Sequence, residues 1–427
     1  MRLRHLALAA GMVGLFCLPA HADARDISRD ILPADDGWAA EGQGTTGGSA
    51  ADAEHVFTVT DRAGLVRALD GGSDTPKIIR IAGTVDANTD DDGDHLDCAD
   101  YATDGYALKK YLAAYDPRTW GSAKASGPQE EARQASARKQ AERVELLVGS
   151  NTTIVGLGKA VLEGGSLQVR NATNVIIRNL DVRDAYDCFP VWQPNTGGLG
   201  DWKTAYDTIW LTGATHVWVD HVTLSDKGHP DSAEPAYFAR NYLRHDGLLD
   251  ITGGSDLVTV SWSRFADHDK AMLIGNSDSA TADRGRLRVT LHHNEFESVV
   301  QRAPRVRFGQ VHVYNNRYVV PSDDYRYSLG VSTESAIFAE NNAFHTPAHI
   351  EVADLVKSWN GSALHQSGTL FNGYPVDLLA IHNAYNSASE RDLTADVGWT
   401  PTLHTKIDSA ETADRQVARG AGAGRMP

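Results

Sequence analysis

The sequence predicts an all-β solenoid, in which successive coils of the chain stack their strands into parallel sheets. From about residue 151, short β-branched runs recur, each followed by an Asn- or His-rich turn and then an aromatic or aliphatic residue. The runs repeat at a basic spacing of 22 residues, between Val155 and Ile177 and again between Leu291 and Val313. A repeat of this length is typical of a solenoid whose coils each contribute strands to parallel sheets.

Seven runs carry the pattern. They are Ile154-Val155, Val175-Ile176-Ile177, Val217-Trp218-Val219, Val258-Thr259-Val260, Val289-Thr290-Leu291, Val311-His312-Val313 and Ile337-Phe338. The offsets between the middle runs are 42, 41 and 31 residues, and these larger gaps predict inserted loops. Loops inserted into a parallel coil project from one side, so we expect a functional site there.

Asparagines at equivalent positions of successive units support the solenoid. Asn294, Asn316 and Asn342 follow the same strand, 22 and 26 residues apart. Stacked at one bend, their amides could hydrogen-bond as a ladder. The alternative is a β-sandwich with Asn in its hairpin turns, but several units with one repeat length favour the solenoid.

The segments on either side of the repeats are assigned from local signals. Residues 1–22 have the Arg-containing start, apolar middle and A-x-A end of a secretory signal peptide, and residues 23–55 form an irregular arm. Asp61 caps a short helix whose apolar side is Leu65, Val66 and Leu69. We expect the solenoid over residues 56–345 and a C-terminal extension packing on it over 346–427, with a flexible end from Ala418.

Two further elements precede the repeats. Ile78-Ile79-Arg80-Ile81 reads as a first strand, and a second helix fits Pro128 to Glu142, with Pro128 at its first position. Once Cys17 leaves with the signal peptide, Cys98 and Cys188 remain in an exported chain. One disulfide is favoured over two buried free thiols.

Composition excludes two classes of partner. The 427-residue chain has 56 acidic and 40 basic residues, for a formal charge of −16, which argues against nucleic acid. Only the N-terminal apolar stretch resembles a membrane element, and it is too short to span a bilayer. We therefore expect an exported protein with no membrane partner.

Candidate site residues fall between positions 207 and 307. Asp246 and Asp250 point to one face if their segment is extended, and Asp207 could join them from the preceding coil. Three hard carboxylates suit Ca²⁺, although carboxylates in loops are often simply solvated.

Cations follow the carboxylates along the chain. They are Lys270, Arg302, Arg305 and Arg307. Arg305 and Arg307 share a strand face and could meet one anion, whereas the alternative is ordinary salt bridging.

Two other patterns are set aside. Asn88-Thr89-Asp90-Asp91-Asp92-Gly93 copies the start of a calcium loop, but Ala99 stands where a Glu is needed, so a polar turn is expected. His292-His293 offers metal-binding residue types, yet adjacent strand residues point to opposite faces, which argues against zinc.

Longer motifs around these residues resemble family 1 pectate lyases. They are Val217–His221, the stretch from His245 through Asp267–Gly275, Gln301–Gly309, Asp97–Tyr101 and Asp184–Pro190. The resemblance covers roughly residues 55–345. It implies a right-handed parallel β-helix and Ca²⁺-dependent cleavage of polygalacturonate by β-elimination, by a secreted enzyme that we expect to be a monomer.

The resemblance also assigns roles. It implies that Asp207, Asp246 and Asp250 are the primary calcium ligands and that Lys270 and Arg307 bind substrate, with Arg305 placed beside them. Arg302 matches the proton-abstracting base, and because arginine loses its proton only at high pH, an alkaline optimum is expected. Gln193–Gly197 and Ala205 stand where some members have acidic residues, so additional calcium sites are not expected to carry over.

Three alternatives remain open. A galacturonan hydrolase would use carboxylates as acid and base, which leaves Lys270 and Arg302 unexplained. A pectin lyase would act on methylated polymer without the three aspartates. A non-catalytic polysaccharide-binding β-helix would need the groove but not Arg302.

Overall fold

The computed structural model describes residues 26–226, 228–321, 324–404 and 406–426. The predicted signal peptide, residues 1–22, lies outside the described residues. In the part of the chain that is described, no helix is long and apolar enough to cross a membrane.

The described chain winds into a parallel β-helix with three sheets, as predicted. The first sheet holds the β-branched runs, and its neighbouring strands are parallel and in register. Its strands are Val56–Val59, Lys77–Asp86, Thr152–Glu163, Thr173–Arg178, Thr215–Asp220, Asp256–Ser261, Val289–His292, Gln310–Tyr314, Ala336–Glu340 and Leu364–Ser367.

Two more sheets complete each coil. The second sheet contains the far ends of the two longest strands together with Asp181–Arg183, Thr223–Ser225, Arg264–Lys270, Glu295–Gln301, Arg317–Val319, Ala343–His345 and Leu370–Phe371. The third contains Glu145–Leu147, Ser166–Arg170, Ile209–Thr212, Leu249–Thr252, Leu273–Ile274, Arg305–Val306, Leu329–Val331 and Val356–Ser358. Each coil therefore passes through the sheets in the same order.

The predicted repeat register is correct except in its first step. Leu291 pairs with Val313 and Val260 pairs with Leu291, as the spacing indicates. Ile177, however, pairs with Ile154 rather than with Val155. The first step is therefore one residue longer than the 22-residue unit.

The interior is filled by apolar side chains that alternate along each strand. Val219, Val260 and Leu291 are fully buried in one continuous core. The predicted amide ladder is present at the bend between the first and second sheets, because Asn294 Nδ2 donates to Asn316 Oδ1 and Asn316 Nδ2 donates to Asn342 Oδ1, both at 3.1 Å. Such a ladder satisfies buried polar groups that no water reaches.

A column of stacked rings runs parallel to the amide ladder inside the second sheet. The rings of Phe265, Phe296, Tyr318 and Phe344 follow one another at centroid distances of 4.9, 5.0 and 4.3 Å. These residues occupy the same strand position in consecutive coils, so the repeat places ring over ring. The column includes Phe265 and Phe296, which lie on the strands that lead to Lys270 and Gln301.

Helices and short turns lie at the edges of the solenoid. The α-helices are Arg62–Leu69, Cys98–Tyr101, Leu108–Ala114, Pro117–Trp120, Pro128–Val144, Leu378–Tyr385 and Ala410–Gly420. The 3-10 turns are Trp38–Ala40, Ala53–His55, Asp70–Gly72, Thr196–Gly198, Asp231–Ala233, Thr281–Asp283 and Val352–Leu355.

Both predicted helices are present, with one correction. Asp61 caps the first helix by accepting a hydrogen bond from the Gly64 amide, and Pro128 begins the second. Val66 was expected to face inward, but it is exposed, and Ala68 is buried with Leu65. The predicted strand at Ile78–Ile81 extends over Lys77–Asp86.

The irregular arm lies along the outer face of the first sheet. The Trp38 and Ala39 amides donate to the hydroxyls of Thr290 and Thr259, each at 3.0 Å. Farther along, the Gly48 amide donates to Thr153 Oγ1 at 2.9 Å. The arm thus crosses several coils and satisfies threonines that face outward.

The C-terminal region differs from the prediction in two ways. Coils continue beyond residue 345, because Leu364–Ser367 pairs in parallel with Ala336–Glu340. The segment after Ala418 is held rather than flexible, since the Ala423 amide donates to Thr223 Oγ1 at 3.0 Å and the Gly424 amide to Asn179 Oδ1 at 2.7 Å. Ala/Gly composition gave no sign of these backbone contacts.

Inserted loops account for the long repeat offsets. Residues 184–208 and 226–248 both lie between the second and third sheets, and they contain the hairpins Val191–Gln193 with Asp201–Lys203 and Ala236–Tyr237 with Arg240–Asn241. Residues 275–288 lie instead between the third and first sheets, so the loops do not all project from one side as expected. The Cys98–Cys188 disulfide, which is present as predicted, ties the first loop to the preceding helices.

Candidate active site

Residues from four successive coils meet at the corner where the second sheet turns into the third. Backbone hydrogen bonds run from Thr208 N to Gly247 O at 3.0 Å, from Leu248 N to Ala271 O at 3.0 Å and from Met272 N to Arg302 O at 2.8 Å. Asp207, Asp246, Lys270 and Arg302 each lie within one residue of these bonds. The parallel repeat therefore brings the predicted carboxylates and cations to one corner instead of spreading them around the solenoid.

Asp207 and Asp250 lie on either side of Gly247. The Gly247 amide donates to Asp207 Oδ1 at 2.8 Å, and the Leu273 amide donates to Asp250 Oδ1 at 2.9 Å. A Cβ atom at position 247 would lie 2.5 Å from Asp250 Oδ1 and 2.8 Å from Asp207 Oδ1. The absence of a side chain at Gly247 is what allows the two carboxylates to approach the same point.

Burial and neighbouring carboxylates disfavour the charged forms of Asp207 and Asp250. Burial, together with repulsion from the neighbouring Asp246, raises the pKa of Asp250 to about 7. Burial also raises the pKa of Asp207 well above its ordinary range, together with repulsion from Asp250 and Asp246. This crowding of oxygen ligands is the electrostatic environment that a bound divalent cation relieves.

Asp246 faces a cation instead. Lys270 Nζ donates to Asp246 Oδ1 at 2.9 Å. The enclosing protein acts to raise the pKa of Asp246, but Lys270 and Arg302 hold it below its ordinary value. Burial acts to lower the pKa of the Lys270 amine, but Asp246 raises this pKa above its ordinary value.

The three carboxylates suit Ca²⁺ as ligands, although their oxygen atoms do not surround one common point. Asp207, Asp246 and Asp250 supply hard carboxylate oxygens, which Ca²⁺ prefers. Within the described ranges, no three His, Cys, Asp or Glu side chains are already arranged to hold a metal ion. Asp246 is turned toward Lys270, so a cation would need Asp246 to share its carboxylate.

Arg302 has an unusual backbone and an unsatisfied side chain. Its φ is 61°, in the left-handed region that non-glycine residues rarely occupy. Its Nε atom is buried and has no hydrogen-bond partner. Arg302 also lies close enough to Asp250 and Lys270 to influence the pKa of both.

Arg305 and Arg307 lie on either side of the buried Val306, as the strand prediction requires. Arg305 Nε donates to Ser332 Oγ at 3.0 Å, and its guanidinium covers the Trp359 ring at 4.2 Å. Arg307 Nε donates to Asp278 Oδ1 at 2.6 Å. Arg307 therefore forms an ordinary salt bridge, which was the alternative to binding an anionic ligand.

A cluster of buried histidines and aspartates contacts the corner that holds the candidate site residues. The sequence alone gave the residues of this cluster no role. His268 contacts Asp226, while His245 contacts Asp184 and Asp231. Burial acts to lower the pKa of His245, but the hydrogen bond to Asp184 and the charges of the other two aspartates raise it to about 10. The signal in the sequence that could have identified these histidines is their closeness to candidate site residues. His245 directly precedes Asp246, and His268 lies two residues before Lys270.

The two patterns set aside from the sequence have different outcomes. The Asn88–Gly93 segment contains a polar turn, in which Asp90 Oδ1 accepts hydrogen bonds from the amides of Asp92 and Asp94. His292 and His293 do not point to opposite faces, because His293 has a φ of 54° and the two Nδ1 atoms lie 3.0 Å apart. The argument from strand alternation was therefore wrong, although no third metal ligand joins the pair in the described structure.

The positions that depart from the family pattern lie in the first inserted loop. Gln193 is on a hairpin strand opposite Asp201, and Asn195 Nδ2 donates to the Ser122 carbonyl. The amide of Ala205 donates to Asp187 Oδ2 at 3.0 Å, and burial raises the pKa of Asp187 to about 6.

Comparison with known proteins agrees with the fold. The "Pectate lyase" family description matches residues 5–105 and 119–426. A pectate lyase of Bacillus subtilis is 44% identical over 96% of both chains, and pectate lyase E of Dickeya chrysanthemi is 35% identical over 84% of this chain and 81% of its own.

Solved structures give the same result. A thermostable pectate lyase superposes with a TM-score of 0.91 at 41% identity, and a pectate lyase bound to a hexasaccharide superposes with 0.89 at 44% identity. Each covers 94% of this chain and 100% of its own. The fold and the corner of carboxylates and cations define a parallel β-helix polysaccharide lyase. The chain belongs to the pectate lyase family.

Proposed function

We propose that this lyase cleaves α-1,4-polygalacturonate by Ca²⁺-dependent β-elimination, with Arg302 as the base. The observation that supports the proposal is the stacking of Asp207, Asp246, Lys270 and Arg302 on successive coils at one corner. A similar pectate lyase has been solved with a hexasaccharide bound, which suits an extended sugar polymer as the substrate.

Substrate binding is assigned to the cations. Polygalacturonate carries a carboxylate on every sugar, whereas the protein has a formal charge of −16. Lys270, Arg305 and Arg307 supply cationic groups that pair with the polymer's carboxylates and so offset the repulsion between polymer and protein. Arg305 and Arg307 flank the buried Val306, where Arg305 covers the Trp359 ring and Arg307 pairs with Asp278.

The chemical step is removal of the C5 proton next to the C6 carboxylate. Arg302, once deprotonated, accepts this proton, and the electrons of the C5–H bond form the C4–C5 double bond as the C4–oxygen bond breaks. The departing glycosidic oxygen keeps the electrons of that bond and takes up a proton to become a hydroxyl group. No water is consumed, and the product is a 4,5-unsaturated uronide. Because a guanidine must be neutral to act as a base, we expect an alkaline optimum.

Lys270 stabilises the negative charge that develops on the carboxylate as the proton leaves. Asp207, Asp246 and Asp250 would hold calcium, which when bound supplies further positive charge to the same group. Asp246 serves both Lys270 and the metal site, so it links substrate binding to the calcium ligands.

The proposal also covers where the enzyme acts and in which oligomeric state. The signal-like residues 1–22 suit an exported enzyme, and the substrate is an extracellular polymer. We propose that the exported chain acts as a monomer, because one chain supplies every residue assigned to the corner.

Demethylated pectin with added Ca²⁺ tests the proposal directly. We expect ultraviolet absorbance from the unsaturated product to rise with time, and EDTA to abolish the rise until Ca²⁺ is restored. Reducing ends without absorbance would indicate a hydrolase. Activity on methylated pectin that survives EDTA would indicate a pectin lyase, and binding without cleavage would indicate a polysaccharide-binding protein.

A further inference from the structure

His268 is tied to two different parts of the chain by its two ring nitrogens. Its Nδ1 lies 2.7 Å from Asp226 Oδ2, and its Nε2 lies 2.9 Å from the backbone carbonyl oxygen of Asp246. The carbonyl oxygen can only accept, so Nε2 is a donor at that contact. The ring is only 4% exposed, and it cannot turn over without losing both contacts.

Asp246 is consequently held at two points by one strand. His268 and Lys270 lie two residues apart on Arg264–Lys270, so their side chains leave the strand on the same face. His268 binds the backbone carbonyl of Asp246, and Lys270 binds its carboxylate at 2.9 Å. Two contacts, one at the backbone and one at the end of the side chain, restrict rotation of Asp246 about its own bonds.

The residue before Asp246 is anchored in the same way. His245 Nδ1 lies 2.9 Å from Asp231 Oδ1, and His245 Nε2 lies 3.1 Å from Asp184 Oδ1. Asp231 belongs to the inserted loop that leads to Asp246, while Asp184 belongs to the preceding coil. The long loop of residues 226–248 therefore ends on fixed points.

We infer that His268 is a positioning residue for the calcium site, one that orients Asp246 through its backbone carbonyl with Asp226 as the support behind the ring. This inference rests on the proposed function, because it takes Asp246 as a calcium ligand. Both ring nitrogens of His268 are already engaged by protein groups, so its assigned role is to hold Asp246 in position. Groups that orient ligands from behind typically change metal affinity by about 10- to 100-fold when they are replaced.

The test is a calorimetric titration with Ca²⁺ in the absence of substrate. We compare the unmodified chain with His268→Gln and with His312→Gln, a matched control. His312 is also a buried histidine bound to a carboxylate, Glu340 at 3.0 Å, but it lies on the first sheet. The expected result is a Ca²⁺ dissociation constant at least about 10-fold higher for His268→Gln and unchanged for His312→Gln.

Activity gives a second readout that a purely structural role would not move. The Ca²⁺ concentration for half-maximal turnover should rise in His268→Gln, while kcat at saturating Ca²⁺ returns close to that of the unmodified chain. If His268→Gln does not fold, Asp226→Asn weakens the same support and should shift Ca²⁺ affinity in the same direction.

The outcomes separate the two proposals. Equal Ca²⁺ affinity in the unmodified chain and in a folded His268→Gln or Asp226→Asn variant would overturn the positioning role and leave the proposed function intact. Failure of the unmodified chain to bind Ca²⁺ would overturn both.

Discussion

Lys270 Nζ and Asp246 Oδ1 lie 2.9 Å apart on neighbouring coils, so the cation assigned to the substrate also neutralises a residue assigned to the metal. Replacing the amine should therefore affect both charges. We expect Lys270→Met to lower kcat/KM by at least about 100-fold, the effect of removing one stabilising donor from a transition state. Lys406→Met is the control, because Lys406 is exposed and pairs with Asp408 elsewhere. A Lys270→Met enzyme as active as the control would remove this lysine from the mechanism.

Gly247 provides a test of the carboxylate cradle. A methyl group there would lie within 2.8 Å of an oxygen of both Asp207 and Asp250, closer than atoms normally approach. We expect Gly247→Ala to weaken Ca²⁺ binding by at least about 10-fold, since the two carboxylates must separate. Calorimetry measures this effect. Gly64→Ala is the control, because its Cβ comes no closer than 3.2 Å to another residue, and unchanged binding in Gly247→Ala would contradict the cradle.

The amide ladder should contribute measurably to stability. Asn316 Nδ2 donates to the Leu291 carbonyl at 2.9 Å, and its Oδ1 accepts from the Asn294 amide at 2.9 Å. Asn316→Ala leaves these buried groups unpaired, so we expect a loss on the order of 3 kcal/mol in the free energy of unfolding. Urea denaturation measures the change. The exposed Asn241 gives a control, Asn241→Ala, and an equally small effect in both variants would show that the ladder adds nothing.

Alkaline stability should depend on Tyr106. Burial raises the pKa of Tyr106 to about 12, although the neighbouring Tyr242 hydroxyl acts to lower it. A tyrosine whose pKa is raised on folding contributes stability that is present below pH 10 and lost as the pH rises from 10 to 12. The free energy of unfolding should fall between pH 8 and pH 11. This fall should be about 1 kcal/mol smaller in Tyr106→Phe than in the unmodified chain.

Unfolding measured at both pH values tests this prediction, and Tyr385→Phe is the control because Tyr385 is exposed. An identical pH dependence in the Tyr106→Phe variant and in the unmodified chain would contradict the assignment.

Much of the fold was readable from the sequence because a solenoid repeats its signals. The β-branched runs, the three asparagines and the 22-residue spacing all report the same periodic contacts, so even the register is correct after the first step. The burial of Val66 was predicted wrongly and the contacts of the C-terminal segment were missed, because neither is part of the repeat. The segment after Ala418 is held by backbone amides that bind Thr223 and Asn179, which composition does not reveal.

The site was only partly readable. Charged residue types and the family resemblance identified Asp207, Lys270 and Arg302, and the coils bring them together. The supporting contacts of His268 and His245 were not foreseen, because they join positions 14 to 61 residues apart through inserted loops. The convergence of His292 and His293 was missed because it depends on one left-handed residue.

The measurement that tests the central claim most directly compares Arg302→Lys with Arg288→Lys on polygalacturonate with Ca²⁺. Arg288 pairs with Asp256 at the start of a first-sheet strand, away from the corner. We expect Arg302→Lys to bind the polymer but to form unsaturated product at least about 1000-fold more slowly, because the base is lost while the positive charge remains. Arg288→Lys should be fully active. Turnover in Arg302→Lys close to that of Arg288→Lys would contradict the account.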